Sequence, residues 1–295
     1  MTSTTQIERD WLESELFPQA DRLRDTNGNG HTLDGKFLYC LFYEPSFLTR
    51  TSFERAIDIM GGRAYHTEDA SQFFPVNTPR YVDSIIEMLA SLHVDLVVLR
   101  SSEPGTVDTA EAADALPIVN GGSRDDHPTQ AMADLYTIWR ELGSVDGKHI
   151  AVVGRLEHRN VNALLRGLAL FEGVRVTLMP LSGQAEPEVV SYCEERGLSL
   201  STVTNPEVLR EVDAIYLNGP RTLAHAQLVR SRGALNLRID RDFMSTLKPH
   251  CVILDPMQRS GDFDIAVQDP RLAFYRQAEN ALLARMALLS QMLLN

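Results

Sequence analysis

Short apolar runs alternate with longer amphipathic segments along almost the whole chain. Continuous runs of valine, isoleucine and leucine are typical of strands in parallel sheets that are covered on both faces, and the segments between them have helical spacing. This alternation predicts an α/β fold in which helices flank parallel sheets. The predicted strands are Phe37–Tyr43, Leu96–Leu99, Pro117–Val119, His149–Val153, Val174–Met179, Ala214–Leu217 and Cys251–Leu254.

With 295 residues, the chain has room for two doubly wound parallel-sheet domains, which account for its length better than one. The glycine-containing segment 143–148 separates a long helical pattern from a new apolar strand, so we predict domains at 1–142 and 143–275. Apolar residues at helical spacing predict a further helix over 276–295. The other predicted helices are Ser52–Met60, Arg80–Leu92, Gln130–Leu142, Asn160–Phe171 and Pro187–Arg196.

Charge and cysteine content exclude several classes of function. The formal net charge of -12 disfavours a general partner of nucleic acid or of an anionic membrane. Cys40, Cys193 and Cys251 lack metal-ligand spacing, so we expect buried free thiols in a reducing cytoplasm. The sequence contains no signal core, no membrane-length apolar run and no dinucleotide fingerprint, and we expect no membrane partner, cofactor or metal.

Polar and cationic residues follow several of the predicted strands, where ligands of parallel α/β sheets bind. Arg100 follows one apolar run, His127 lies in the loop after another, and Arg159 follows a third. Pro128 suits the first position of a helix, with Gln130 in its positive first turn. The pattern predicts a cleft for a small anionic or amino-acid substrate. Three simpler alternatives are open: a helix-capping histidine, a strand-end arginine paired with a loop, and a helix-start arginine facing water.

The segment Phe42–Glu54, F-Y-E-P-S-F-L-T-R-T-S-F-E, places hydroxyl groups and an arginine at the start of an amphipathic helix. Free N–H groups, hydroxyls and a guanidinium together bind anions, although an ordinary N-cap is the simpler alternative. The segment resembles the carbamoyl-phosphate loop of the aspartate and ornithine carbamoyltransferases, F-x-E-x-S-T-R-T-R followed by S-F-E. The H-P-T-Q sequence at 127–130 and the ending Y-R-Q-A-E-N-A-L-L-A-R-M resemble the aspartate branch.

This resemblance implies the carbamoyltransferase fold, in which the C-terminal helix packs back on the first domain. It also implies a homotrimer with sites shared between subunits. By the resemblance, Thr49, Arg100 and His127 polarise the carbonyl of the transferred group. It further implies a set of substrate-binding residues, in which Gln130 contacts the carbamoyl nitrogen and Arg159 the acceptor's α-carboxylate. The full set is Ser46, Arg50, Arg80, Gln130, Arg159, Arg221 and Pro256, of which Arg80 and Arg221 are substitutes for cations of the family pattern.

Several positions depart from the family pattern. Phe47 and Leu48 replace a threonine and an arginine that bind phosphate in the family. The family's mobile-loop lysine is missing, and Arg80 is the nearest cation that substitutes for it. The arginine of the acceptor loop is missing or moved to Arg221. Asp255 stands where the family has histidine.

Three functions follow from these observations as open alternatives. The first is an aspartate-carbamoyltransferase-like enzyme of pyrimidine or amino-acid metabolism, which moves a carbamoyl or related acyl group to an amino-acid-like acceptor, with an altered donor or acceptor. The second is a non-catalytic paralogue that binds or assembles; Leu48 and the missing lysine favour it, and the retained polar residues oppose it. The third is a lyase or another transfer in which Asp255 acts as base.

Overall fold

The structure is a computed structural model that describes residues 1–26, 31–67, 69–70, 81–219, 237–256 and 264–294. Met1–Ala133 and Glu279–Asn295 form one compact unit, and Asp134–Ala278 form a second. Each unit is built on a parallel sheet, which confirms the predicted fold class. Most of the C-terminal helix belongs to the first unit, as the resemblance implied. The predicted boundaries after residues 142 and 275 differ from this division because two long helices cross it.

The first unit opens with a 3₁₀ turn (Thr4–Gln6), α1 (Arg9–Trp11), a π-helical stretch (Leu12–Leu16) and α2 (Phe17–Asp25). There follow β1 (Phe37–Phe42), α3 (Phe47–Ile59), β2 (Arg63–Thr67), α4 (Val82–Ser91), β3 (Leu96–Arg100), α5 (Thr106–Ala112), β4 (Ile118–Asn120) and the start of α6 (Pro128–Leu142). The sheet order is β2-β1-β3-β4, all parallel.

The second unit carries a five-stranded parallel sheet. Its elements are β5 (His149–Arg155), α7 (Arg159–Leu168), β6 (Arg175–Ser182), α8 (Pro187–Glu195), β7 (Ser199–Thr202), a 3₁₀ helix (Pro206–Glu211), β8 (Ala214–Asn218), β9 (Arg238–Ile239), α9 (Arg241–Thr246), β10 (Val252–Leu254), β11 (Asp264–Ile265) and the start of α10 (Phe274–Leu294). The sheet order is β10-β8-β5-β6-β7, and β9 pairs with β11 separately.

The topology of each sheet marks where a ligand is expected to bind. Strand order reverses between β1 and β3 in the first unit, and between β5 and β8 in the second. Crevices form at such points, outside the carboxyl ends of the strands. β3, β5 and β8 are buried along their whole length, so the side chains at their ends are held by rigid elements. A ligand site is therefore expected in the loops after these strands.

All seven predicted strands are present. The prediction missed four strands (β2, β7, β9 and β11) and four helices (α1, α2, α5 and α9), and it placed one helix start wrongly. β2 and β7 lie at sheet edges and are mostly exposed, so they lack the apolar runs on which the prediction relied. α3 begins at Phe47, so the prediction of a start at Ser52 was wrong. Its first turn, Phe47–Arg50, follows a proline and a serine and shows no helical repeat of apolar residues, so it resembles a loop when periodicity is the only signal.

The three cysteines are free and buried. Burial raises the pKa of Cys193 and of Cys251 to about 12, so both remain protonated at neutral pH. Among the helices that the structure describes, none is long and apolar enough to cross a membrane.

Asp213 lies just before β8, at the amino ends of the strands of the second sheet, and its side chain joins several segments there. Its carboxylate accepts hydrogen bonds from the backbone of His149 (2.8 Å), from Lys248 Nζ (2.8 Å) and from His250 Nε2 (2.9 Å). Burial alone raises the pKa of Asp213, but these hydrogen bonds outweigh it and hold the pKa far below its ordinary value of 3.8. The ionised form is therefore the one that stabilises the fold.

We expect Asp213→Asn to lower the free energy of unfolding by about 2–3 kcal/mol at pH 7, because it removes a charged acceptor that is only 12% exposed. A carboxylate whose pKa is lower in the folded state than in the unfolded state stabilises the fold when the pH is above the unfolded-state pKa. This stabilisation is lost as the pH falls towards the folded-state pKa. The difference between wild type and variant should therefore shrink below about pH 4 in urea unfolding curves. Glu195→Gln, at an exposed position of α8, is the control, and a difference that stays constant down to pH 2 would contradict the account.

Candidate functional site

The first turn of α3 follows β1 closely and lies at the reversal point of the first sheet. Ser46 is the N-cap residue in extended backbone conformation, and its hydroxyl makes no capping hydrogen bond. Phe47 is 75% exposed, Leu48 is half-buried and Thr49 is buried. The first N–H groups of a helix have no partner inside the helix, so this turn presents donors beside a buried hydroxyl.

Arg100 ends β3 and is almost fully buried. Its Nη1 donates to the backbone oxygen of Gly121 (3.0 Å), and its Nε lies 3.1 Å from Glu44 Oε1. The other oxygen of Glu44 accepts a hydrogen bond from Ser102 (2.6 Å). The alternative of a strand-end arginine paired with a loop therefore describes one contact of Arg100, and the pair holds the guanidinium at the strand end, where the anion cleft was predicted.

His127 lies directly before α6 and is buried. Its Nε2 lies 3.4 Å from Thr49 Oγ1, and its Nδ1 lies 3.4 Å from Thr129 Oγ1. Its backbone N–H donates to Asp126 Oδ1 (2.8 Å), and the same carboxylate accepts from the backbone N–H of Thr4 (2.7 Å). The loop that carries His127 is therefore anchored to the N-terminal segment of the unit.

Gly122 lies between the side chains of Arg100 and His127 and leaves no room for a side chain of its own. A β-carbon at this position would lie 2.6 Å from Arg100 Nη1 and 3.3 Å from His127 Cδ2. Its φ of 120° also belongs to the region that favours glycine. Thr49 Oγ1 lies 3.4 Å from Nε2 of the same imidazole, the ring atom next to Cδ2. The structure thus brings Thr49, Arg100 and His127 together within the first unit.

The other predicted residues of the first unit have identifiable positions. Arg50 is half-buried, and its Nε lies 3.7 Å from Glu54 Oε1, one turn along α3. Gln130 is half-buried in the first turn of α6, and its backbone N–H donates to the oxygen of His127 (2.9 Å). α6 begins at Pro128, the residue judged to suit a first helical position, two residues before the predicted range of Gln130–Leu142. Whether these side chains bind a substrate stays a prediction.

In the second unit, polar groups gather at the reversal point between β5 and β8. Arg155 ends β5, and its Nε donates to the oxygen of Gly219 (3.2 Å). Asn218 ends β8 fully buried, and its Nδ2 donates to the oxygen of Arg155 (2.9 Å). Among the described residues, Asn218 Oδ1 has no hydrogen-bond partner. Arg155 was missed in the sequence, although it follows an apolar strand as directly as Arg100 does.

Arg159 is the first residue of α7 and is only 4% exposed. The alternative of a helix-start arginine that faces water is therefore wrong. His158 precedes it as the N-cap, and its Nδ1 accepts the N–H of Asn160 (3.3 Å). A buried guanidinium at the positive end of a helix suits a carboxylate ligand, because both groups favour negative charge.

Asp255 follows β10 and is fully buried. Its backbone N–H donates to Gln277 Oε1 (2.8 Å), and Gln277 Nε2 donates to Asp134 Oδ1 (2.7 Å). Tyr216 donates to the other oxygen of Asp134 (2.8 Å). Burial, then the charge of Asp134 and the hydrogen bond to it, hold the pKa of Tyr216 well above its usual range. The neighbouring Pro256 is buried too.

Arg80 and Arg221, the two predicted substitute cations, lie outside the described residues, as does the predicted position of the mobile-loop lysine. Among the described residues, no group of three or more His, Cys, Asp or Glu side chains is arranged to hold a metal ion. Glu44 was recognised as part of the loop motif, but its contact with Arg100 was not predicted. The sequence distance between the two residues hides the pair.

The two parallel-sheet units, each with polar groups at the carboxyl ends of its strands, define an α/β protein of the carbamoyltransferase fold. Residues 1–140 match the carbamoyl-phosphate-binding domain of the aspartate/ornithine carbamoyltransferases, and residues 146–292 match their aspartate/ornithine-binding domain. The chain therefore belongs to the aspartate/ornithine carbamoyltransferase family, and it is close to the catalytic chain of the aspartate enzymes.

Individual relatives agree with this assignment. The chain is 35% identical over 284 residues to an aspartate carbamoyltransferase catalytic subunit of Pyrobaculum islandicum, covering 93% of this chain and 92% of that one. It is 33% identical over 288 residues to the multifunctional protein CAD of Squalus acanthias, covering 95% of this chain but 13% of that protein. The aspartate transcarbamoylase of Trypanosoma cruzi in complex with N-(phosphonacetyl)-L-aspartic acid superposes with a TM-score of 0.88 at 27% identity, covering 98% and 94% of the two chains.

Proposed function

We propose that the protein transfers a carbamoyl or closely related acyl group from an activated donor to the amine of an amino-acid-like acceptor. The observation that carries the proposal is the convergence of Thr49, Arg100 and His127 in the first unit. Relatives at 31–35% identity are named as aspartate carbamoyltransferases, and the solved relatives include complexes with carbamoyl phosphate and aspartate. The family and the convergent side chains support the same reaction class.

The proposed chemistry is polarisation of a carbonyl group without a covalent enzyme intermediate. The acceptor's amine attacks the carbonyl carbon of the donor, and negative charge develops on the carbonyl oxygen. Thr49, Arg100 and His127 supply hydrogen-bond donors to this oxygen, which lowers the barrier because the donors are already oriented. The bond to the leaving group then breaks, and the amine loses a proton. Arg159 binds the acceptor's carboxylate, which keeps the amine oriented for attack.

The donor is expected to differ from that of the family. Phe47 and Leu48 occupy the first two positions of α3, where the family pattern has a threonine and an arginine. A charge-assisted hydrogen bond to an anion contributes about 1.5–3 kcal/mol, so these replacements weaken the binding of a phosphate dianion by a large factor. An exposed phenyl ring and a leucine favour a less charged or more apolar leaving group.

A non-catalytic binding or assembly role is the second candidate, and a specific observation favours it. Arg100 is held by Glu44 and by the oxygen of Gly121, so part of its donor capacity is used inside the protein. The lyase alternative has less support, because Asp255 is fully buried, which does not suit a base that meets a substrate. A homotrimer with shared sites, a cytoplasmic location and a role in pyrimidine or amino-acid metabolism stay predictions.

A panel of donors and acceptors tests the proposal. Isothermal calorimetry measures the binding of carbamoyl phosphate, phosphate and single amino acids, and mass spectrometry measures the formation of N-carbamoyl or N-acyl amino acids. Carbamoyl phosphate, acyl phosphates and uncharged carbamoyl esters serve as donors. We expect product with at least one donor and an amino acid. Binding of amino acids without product from any donor would instead favour the non-catalytic role.

Leu48→Arg tests whether the first turn of α3 still has the conformation of an anion-binding loop. The variant should bind phosphate about 10-fold more tightly or better, since a charge-assisted hydrogen bond contributes about 1.5–3 kcal/mol. Calorimetry with phosphate measures the change. Leu92→Arg, at a 68% exposed position of the same unit, adds the same charge elsewhere and should have no comparable effect. Equal phosphate affinities in both variants would count against this conformation of the turn.

A further inference from the structure

We propose that Arg285, on α10, is a positioning residue that sets the first turn of α3 for the donor. The proposal rests on the proposed function, because it concerns the turn that would bind the donor. Arg285 is 2% exposed and is among the largest fully buried side chains of the described chain. Its Nη1 donates a short hydrogen bond to Ser52 Oγ, and both residues belong to the first unit. A buried charge requires such partners, so this contact is part of what holds α10 in place.

Ser52 connects this arginine to the first turn. Its Oγ lies 2.5 Å from the backbone oxygen of Leu48 and 3.0 Å from that of Thr49. A hydroxyl has one proton to donate and two lone pairs, so Ser52 donates to these carbonyls while it accepts from Arg285. The carbonyl groups that receive this proton belong to the residues that begin α3. A path of hydrogen bonds therefore runs from Arg285 to the turn.

The guanidinium is itself fixed in orientation. Its central carbon lies 5.1 Å from the centre of the Phe53 ring, which is fully buried. A planar guanidinium stays charged at all accessible pH values and holds both contacts in a fixed geometry. The turn that it supports ends with Thr49, whose Oγ1 lies 3.4 Å from His127 Nε2. Moving Ser52 therefore displaces a hydroxyl that we assign to the donor.

A purely structural role predicts a different result from a positioning role. If Arg285 only filled space between helices, its replacement by a side chain of similar length would destabilise the unit evenly. If it positions the turn, the first turn of α3 should loosen selectively. The backbone amides of residues 50–53 report on this, because their hydrogen-bond acceptors are the carbonyls of residues 46–49.

The experiment measures amide hydrogen exchange in the full chain for Arg285→Met and for Ser52→Ala, which is the milder change. We expect exchange at residues 50–53 to accelerate at least 10-fold in both variants, with β3 unchanged. The double variant should exchange no faster than either single variant, because the two side chains act through one contact. Arg276→Met is the matched control: it lies on the same helix and pairs with Glu141 instead (2.6 and 2.8 Å). Unchanged exchange at residues 50–53 in both test variants would overturn the proposal.

Ligand affinity separates this proposal from the proposed function. Phosphate or the best donor of the panel should bind at least 10-fold more weakly to Ser52→Ala, while amino-acid binding stays unchanged. Arg285→Lys should recover part of the donor affinity that Arg285→Met loses, because it restores a donor to Ser52. If the wild type binds no donor, the proposed function fails, and the exchange data alone then decide whether Arg285 positions the turn. Normal donor affinity in Ser52→Ala would remove the link to the donor.

Discussion

Gly154→Ala should prevent the second unit from folding stably, because we expect it to lower the free energy of unfolding by about 4 kcal/mol or more. Gly154 lies in β5 opposite Asn218 of β8, and its φ of 137° is one that other residues rarely adopt. A β-carbon there would lie 2.0 Å from the backbone oxygen of Asn218 and 2.6 Å from its carbonyl carbon. Both are backbone atoms of a buried strand, so no flexible side chain can move aside, and losses of this size are typical of such collisions.

Urea unfolding monitored by circular dichroism measures the effect of alanine at position 154. Gly197→Ala is the matched control in the same unit: its φ is 77°, and nothing lies within 4 Å of an added β-carbon. We expect this control to lower the free energy of unfolding by about 1 kcal/mol, from backbone strain alone. The difference between the two variants isolates the collision with β8. Similar losses in both would mean that the two strands separate easily at this point, against the packing described.

The fold was predictable because the buried strands carry their own signal. β3, β5 and β8 carry runs of apolar residues before their polar last residues, and the alternation of such runs with helices predicts parallel sheets without knowledge of any contact. The exposed edge strands β2 and β7 carry no such signal, because half or more of their side chains face solvent. The start of α3 was missed for a different reason: its first turn has two apolar residues followed by Thr49 and Arg50, and helical periodicity only becomes visible further along the helix.

The sequence predicted which polar residues lie at strand ends, but it did not predict the contacts between residues that are distant in the chain. Arg100 and Arg159 were found because each follows an apolar strand or starts a helix, which are local properties of the sequence. The pairing of Arg100 with Glu44 and of Arg285 with Ser52 joins residues that are distant in the chain. Such contacts depend on the topology of the sheet and on where α10 packs, so no local pattern contains them. The family motif identifies Glu44 but gives it no partner.

Arg100→Ala should lower the turnover of the best donor and acceptor by about 100- to 1000-fold, the usual effect of removing one preorganised donor to a developing oxyanion. The guanidinium of Arg100 is almost fully buried. Arg100 and His127 both lie beside Gly122, because a β-carbon added there would lie 2.6 Å from Arg100 Nη1 and 3.3 Å from His127 Cδ2. The charge of Arg100 therefore lies beside the imidazole that we assign to the same carbonyl oxygen. Steady-state kinetics of product formation measures kcat and KM separately.

The same substitution leaves the fold intact by this account, which makes the kinetic loss interpretable. Glu44 keeps its hydrogen bond from Ser102 (2.6 Å) and is partly exposed, so its charge remains solvated when the arginine is removed. Arg124→Ala is the control, since Arg124 is exposed in the same unit and lies 3.7 Å from the equally exposed Asp125. A large fall in stability with unchanged kcat in Arg100→Ala would show that the ion pair with Glu44 is the whole role of this residue. A fall in kcat with unchanged stability would place the guanidinium at the reacting carbonyl.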